Sequence, residues 1–192
     1  MKINIAFVIG HLSHGGAEKQ LYLLTKGLNK DEFNITIFCL SNNRIPWGDR
    51  IQGLNVNVIY IPRKSRFDIT RVLRLAWRFH KLKPHIIVSS LHIGNVYSHL
   101  AMFFISSKAR YIAQVRSKND NMQFLNRFLN IKAFNSADAI ITNSRLLIPF
   151  INRYFKQNKS KIISINNGIE LDEITHKVNN RKRINISTSK SA

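Results

Sequence analysis

The chain has 192 residues, 44% of them hydrophobic, which is enough for one sizeable core and too little for two full domains. Thirty Lys and Arg against ten Asp and Glu leave a formal charge of +20, so the partner is expected to be anionic: a polyanion, a membrane surface or a charged substrate. The single cysteine, Cys39, excludes an intramolecular disulfide framework and a Cys-based metal site, and fits a reducing, cytosolic setting.

The first apolar run, Ile3 to Ile9, is far shorter than the ~18 residues needed to cross a bilayer. A Gly-rich turn follows it, not a small-residue cleavage site, so it reads as a strand. Further Val- and Ile-rich runs predict strands over Asn34 to Leu40, Val56 to Ile61, His85 to Ser89, Tyr111 to Val115, Ala139 to Thr142 and Lys161 to Ile165. Between them, helical periodicity predicts helices near Ala17 to Leu28, Ile69 to Leu82, Gly94 to Ile105, Met122 to Phe134 and Ser144 to Phe155. This alternation specifies an α/β fold, a doubly wound Rossmann-like parallel sheet of about seven strands covered on both faces. Residues 1–172 are expected to form the domain. Residues 173–192, rich in Lys and Arg and poor in apolar side chains, read as a basic linker or disordered tail.

The loop Gly10-His-Leu-Ser-His-Gly15-Gly16 joins the first strand to the first helix. A helix N-terminus offers unpaired N–H groups and positive dipole charge, and paired glycines let a ligand approach the backbone, which suits a phosphate. A tight βα turn with no ligand accounts for the same residues. The spacing is not the dinucleotide fingerprint, the second strand ends Phe38-Cys39-Leu40-Ser41-Asn42 without a ribose-binding acid, and no Walker A lysine is present. A nicotinamide dehydrogenase and a P-loop NTPase are therefore both disfavoured.

Five motifs in order then carry a resemblance. They are Gly10-His-Leu-Ser-His-Gly-Gly-Ala-Glu18, Lys83-Pro-His-Ile-Ile-Val-Ser-Ser-Leu-His92-Ile-Gly-Asn95, Gln114-Val-Arg116-Ser, Ala137-Asp138-Ala-Ile-Ile-Thr-Asn143-Ser144 and Lys161-Ile-Ile-Ser-Ile-Asn-Asn167-Gly168-Ile169. Together they resemble the N-terminal, acceptor-side domain of a family 4 glycosyltransferase of GT-B fold, over about residues 1–172. The resemblance implies one half of a two-domain cleft whose other half holds most of the sugar nucleotide through two glutamates eight positions apart. The glutamates here are Glu18, Glu32, Glu170 and Glu173, and none has such a partner, so the donor-binding half is expected to be absent.

The same resemblance implies that Gly15 and Gly16 contact the donor's phosphate or sugar, while His92, just after the fourth strand at the carboxyl end where open α/β sheets place their ligands, is the catalytic candidate, with a structural role at a helix start as the alternative. Ser90, Asn95 and Arg116 become acceptor-binding candidates. Relatives often carry His-x-His at the end of the fourth strand, where this chain has Val88 and Ser90. Glu18 reads first as a carboxylate opposing the helix dipole. Arg116 has the planar fork that pairs with a phosphate or carboxylate.

Eleven Lys or Arg face one acid, Asp120, between Ile69 and Ala137. In the helix Ile69 to Leu82, Arg71, Arg74, Arg78 and Lys81 fall on one face and are expected to face an anionic membrane, while Val72, Leu75, Ala76 and Phe79 line another. The segment Met122 to Phe134 carries Phe124, Leu125, Phe128 and Leu129 beside Arg127 and Lys132, a pattern suited to an anionic bilayer or to ordinary packing with a solvated cationic face.

The expected function is the acceptor-side half of a retaining glycosyltransferase, moving sugar from a nucleotide-sugar substrate to a lipid-linked or polysaccharide acceptor on the inner face of the cell membrane. Its partners would be a donor-binding domain or subunit, an anionic membrane surface and a glycan acceptor. The alternative is a non-catalytic membrane- or partner-binding module. Nucleic-acid binding has only net charge in its favour, with no helix-turn-helix, zinc-ligand or RNP signature. No cofactor and no metal is expected, since Asp-x-Asp does not occur.

Overall fold

Seven Val- and Ile-rich runs pair as strands: β1 (Ile3–Ile9), β2 (Phe33–Cys39), β3 (Asn57–Tyr60), β4 (Ile86–Ser90), β5 (Arg110–Val115), β6 (Ala139–Thr142) and β7 (Ile162–Ser164). The computed structural model describes residues 2–65, 68–106, 108–118, 124–154 and 161–170. Among these residues six helices alternate with the strands: α1 (Gly16–Gly27), α2 (Trp47–Gln52), α3 (Thr70–Leu82), α4 (Leu91–Met102), α5 (Phe124–Asn135) and α6 (Ile148–Tyr154). All pairings are parallel, in the order β3-β2-β1-β4-β5-β6-β7. Parallel neighbours need crossovers, and the helices supply them.

The chain winds outward from β1 to β3, then crosses back through α3 to place β4 on the other side of β1. That reversal opens a crevice at the carboxyl ends of β1 and β4, where doubly wound sheets receive their ligands. One apolar cluster joins the sheet to α3, α4, α5 and α6 through side chains such as Leu75, Phe79, Ala101, Phe134 and Ile151. The second joins the other face to α1 and α2 through Leu21 and Ile51. Fully burying a side chain such as Leu75 or Phe79 contributes roughly 1.5–3 kcal/mol.

Gly94 sets how closely α4 approaches β1. A Cβ there would lie 2.8 Å from the carbonyl oxygen of Val8, so only glycine lets the first turn of α4 pack on that backbone. The contact draws the start of α4 against the end of β1 and so narrows the crevice.

Element boundaries depart from expectation where local packing overrides periodicity. The short α2 was not foreseen, because six residues carry too little pattern; it forms around the fully buried Ile51, with Trp47 tilted on Tyr22 at 5.5 Å between ring centroids. The fourth helix begins at Leu91, three residues before the expected Gly94, with Leu91 itself at φ 64°. A left-handed Leu is a strained junction, and here it joins β4 directly to its helix. The expected helix over Ser144 to Phe155 splits into a 3-10 turn, Arg145–Leu147, and α6. Ser144 Oγ accepts from the Leu146 N–H at 3.3 Å to start the turn, and Pro149 lies in the first turn of α6, where its missing N–H costs nothing. The expected start at Met122, the residue Asp120 and the tail 173–192 lie outside the described residues.

Candidate functional site

Gly15 is the N-cap of α1, in extended conformation and with no side-chain cap; its carbonyl accepts the first helical bond from the Lys19 N–H at 3.2 Å. Both glycines are exposed, but their surroundings differ. A Cβ on Gly16 would meet nothing within 4 Å, whereas one on Gly15 would overlap the Glu18 carboxylate. Glu18 is folded back over Gly15 and only 2% exposed, with Oε1 3.0 Å from His11 Nδ1. The carboxylate opposes the helix dipole as the sequence suggests, yet it does so from a buried position beside the loop. It therefore tempers the positive end of α1 at the place where an anion was expected.

Opposite this loop, β4 and β5 build a buried polar network. Ser90 pairs with Gln114 in the strand register, and its hydroxyl donates to Gln114 Oε1 at 2.6 Å. The same oxygen accepts from Arg116 Nη2 at 3.2 Å and Nε at 3.4 Å. The preceding residue of β4 points to the other face of the sheet, where Ser89 Oγ donates to Asn95 Oδ1 at 2.5 Å and lies 2.9 Å from the Tyr111 hydroxyl, while Asn95 Nδ2 donates to the Gln114 carbonyl at 3.2 Å. Burial pushes the Tyr111 phenol far up, so it stays neutral.

Of the three acceptor candidates, Arg116 alone stands at the rim. Asn95 is 1% exposed, both ends of its amide are engaged, and it braces the network instead of facing a ligand. Ser90 is likewise buried and reaches the rim only through Gln114, a residue that the motif reading quoted without giving it a role. Burial lowers the Arg116 pKa while the nearby Glu18 charge raises it, and the guanidinium remains a cation in either case. His92 lies in the first turn of α4 with its ring exposed, and partial desolvation lowers its pKa.

The segment after β7 returns to this same corner. Gln20 clasps Gly168 twice, donating from Nε2 to its carbonyl at 2.8 Å and accepting its N–H at 2.7 Å. Lys26 pairs with Glu170 at 2.5 Å, and Arg116 Nη1 donates to Asn167 Oδ1 at 3.1 Å. Residues far apart in the chain, from α1, the end of β5 and the segment after β7, thus meet.

The basic face expected on the third helix is divided. Arg71 is 6% exposed: it stacks over the Tyr97 ring at 4.2 Å and donates to the Leu40 carbonyl at 3.2 Å, so it is a packing residue and not a surface cation. Arg74 is held by Asp68 at 2.6 Å and by the Pro62 carbonyl at 2.9 Å. The hydrogen bond from Thr70 leads the causes that lower the Asp68 pKa to about 2. Arg78 and Lys81 remain outward, over the exposed Trp77 ring at 4.9 and 4.1 Å. On α5, Phe124, Leu125, Phe128, Arg127 and Lys132 are all exposed, with Lys132 over Phe128 at 5.5 Å.

Among the described residues, no three His, Cys, Asp or Glu side chains are grouped to hold a metal ion, and no helix is long and apolar enough to cross a membrane.

The profile of Glycosyltransferase Family 4 matches residues 14–173. No curated protein sequence matches the chain. The fold is similar to that of Anabaena Alr3699/HepE in complex with UDP, with a TM-score of 0.72 at 15% identity over 90% of this chain and 45% of that one. It is also similar to the apo form of the lipopolysaccharide outer core galactosyltransferase WaaB, with a TM-score of 0.68 at 13% identity over 88% of this chain and 46% of that one. A glycosyltransferase from Rickettsia africae ESF-5 gives 0.67 at 17% identity over 89% and 44%. The chain thus spans less than half the length of each of these structures.

Proposed function

This chain belongs to glycosyltransferase family 4, and on that premise we propose that it forms the acceptor-side half of a retaining glycosyltransferase of GT-B architecture. The sugar comes from a nucleotide-sugar donor and goes to a lipid-linked or polysaccharide acceptor at an anionic membrane surface. The observation that carries the reading is the convergence of the open Gly16 backbone, the rim cation Arg116 and the buried brace Ser90–Gln114 at the carboxyl edge of the sheet. Gly16 admits the donor's diphosphate or sugar to the free N–H groups of α1. Arg116 binds an anionic or hydroxyl-rich part of the acceptor through a guanidinium that Gln114 and Asn167 already hold in place. His92, in the first turn of α4, is the candidate proton carrier, its lowered pKa favouring the neutral ring at pH 7.

A separate donor-binding domain completes the cleft in this reading. Ile163, Ile165 and Ile169 are 47%, 55% and 68% exposed, an apolar surface beside the clasped Gly168 that suits the second wall. The test is sugar transfer by the chain alone and mixed with a family donor-binding domain, in the presence of anionic vesicles. Transfer only in the mixture, abolished by Arg116→Ala, supports the proposal. Efficient transfer by the 192-residue chain alone overturns it.

A further inference from the structure

A cavity of about 590 Å³ opens at the amino edge of the sheet, the end opposite the glycine loop. It lies between the C-terminal end of α3, the start of β4 and the segment that follows α4. Its volume is in the range of a small-molecule site. Phe79 and Phe104 supply apolar walls, the first fully buried and the second 63% exposed.

The polar lining is one-sided in charge. Lys83, Lys108, His80 and His85 surround the opening, and among the described residues no carboxylate lines it. The tautomer of His85 follows from its neighbour. The Asn4 N–H donates to Nδ1 at 2.9 Å, so in the neutral ring Nε2 carries the proton and is the nitrogen left to donate. Nε2 of His85 therefore joins the two lysines as a donor at the opening.

Beside the cavity the surface is amphipathic. Phe103 is 72% exposed next to Phe104, and on α3 the half-exposed Trp77 lies beneath Lys81 and Arg78. Aromatic rings carrying basic groups at their edge are suited to the boundary between headgroups and acyl chains. A soluble anion would use the lysines and leave Phe103 and Phe104 in water. An amphiphile satisfies both.

We propose that this amino-edge cavity seats the phosphate of an anionic phospholipid, with Phe104 and Phe103 entering the layer below the headgroups. The site names where the membrane part of the functional reading is carried out, and it stands apart from sugar transfer.

The experiment is sedimentation of the full chain with phosphatidylcholine vesicles containing roughly 30% phosphatidylglycerol, against phosphatidylcholine alone, at near-physiological salt. Lys83→Glu with Lys108→Glu tests the site, and Phe104→Ser tests its apolar wall. Lys64→Glu with Lys118→Glu makes the same change in net charge at exposed positions elsewhere. The expected result is at least about a tenfold loss of vesicle affinity for the site pair and a much smaller loss for the control pair. Phe104→Ser is expected to weaken vesicle binding while leaving the thermal midpoint unchanged.

Equal losses in the two charge-reversed pairs would overturn the site and leave a delocalised membrane attraction. Absence of vesicle binding by the unaltered chain would overturn the membrane reading as well. Capture of inorganic phosphate through Lys83 and Lys108 without vesicle binding would assign the cavity to a soluble anion and also overturn the proposal.

Discussion

Gln114 Oε1 sits 3.2 Å from Arg116 Nη2 and accepts at the same time from the Ser90 hydroxyl, so a side chain buried in the sheet orients the cation at its rim. Replacing Gln114 with Leu keeps the volume and removes the acceptor. The fold is expected to survive while Arg116 loses its fixed orientation, with acceptor KM rising about tenfold and kcat changing less. Steady-state kinetics of the chain paired with a donor-binding domain check this. An unchanged KM would mean that Arg116 does not meet the acceptor.

The two loop glycines separate structure from function. Gly15→Ala drives its Cβ into the Glu18 carboxylate and must expel that group from its place beside His11, at an expected cost of about 1 kcal/mol. Gly16→Ala meets nothing and gains helix propensity, so its thermal midpoint should hold or rise slightly. Loss of donor binding in Gly16→Ala despite full stability would show that a ligand approaches this backbone. Calorimetric unfolding and nucleotide-sugar titration measure the two effects separately.

Four basic residues that share a predicted helical face divide sharply in the fold. Arg71→Ala removes a buried cation stacked on Tyr97 and should destabilise the chain by roughly 1–3 kcal/mol. Arg78→Ala removes an exposed side chain and should stay within about 0.5 kcal/mol. Denaturant midpoints of the two variants test the contrast. Similar values would contradict the inward placement of Arg71.

His99 ties α4 to the turn that follows α5, with Nδ1 2.7 Å from Ser136 Oγ and its ring edge-on to Phe103 at 4.8 Å. Burial first, and Lys132 second, lower its pKa from 6.5. The unfolded chain then binds this proton before the folded chain does, so the stabilisation is full above pH 6.5 and is lost as pH falls toward the folded value. His92 shifts in the same direction. Thermal midpoints between about pH 7.5 and 5 should therefore decline, and less steeply in His99→Gln. An unchanged slope in the variant would remove His99 from the pH response.

Several features were legible before any fold was known. The order of seven strands, and most of the helices between them, followed from runs of Val and Ile, from helical periodicity and from Gly15 and Gly16 punctuating the first turn. These signals are local, so a short segment such as α2, or the early start of α4 at the left-handed Leu91, escaped them. The same limit applies to the site. Arg116 was visible as a candidate because it follows a strand, whereas Asn95, expected to bind the acceptor, is one of the most buried polar groups.

By itself the amino-acid sequence determined the α/β class, the strand order along the chain, the glycine loop and the family. Tertiary structure alone decided the register that sets Ser90 beside Gln114, the burial of Arg71 and Asn95, and the return of Asn167 and Gly168 to Arg116 and Gln20. The physical reason is range. Periodicity and turn chemistry act over a few neighbouring residues, while the partner of a buried polar group is chosen by which distant strand or helix the packed sheet brings within hydrogen-bond reach.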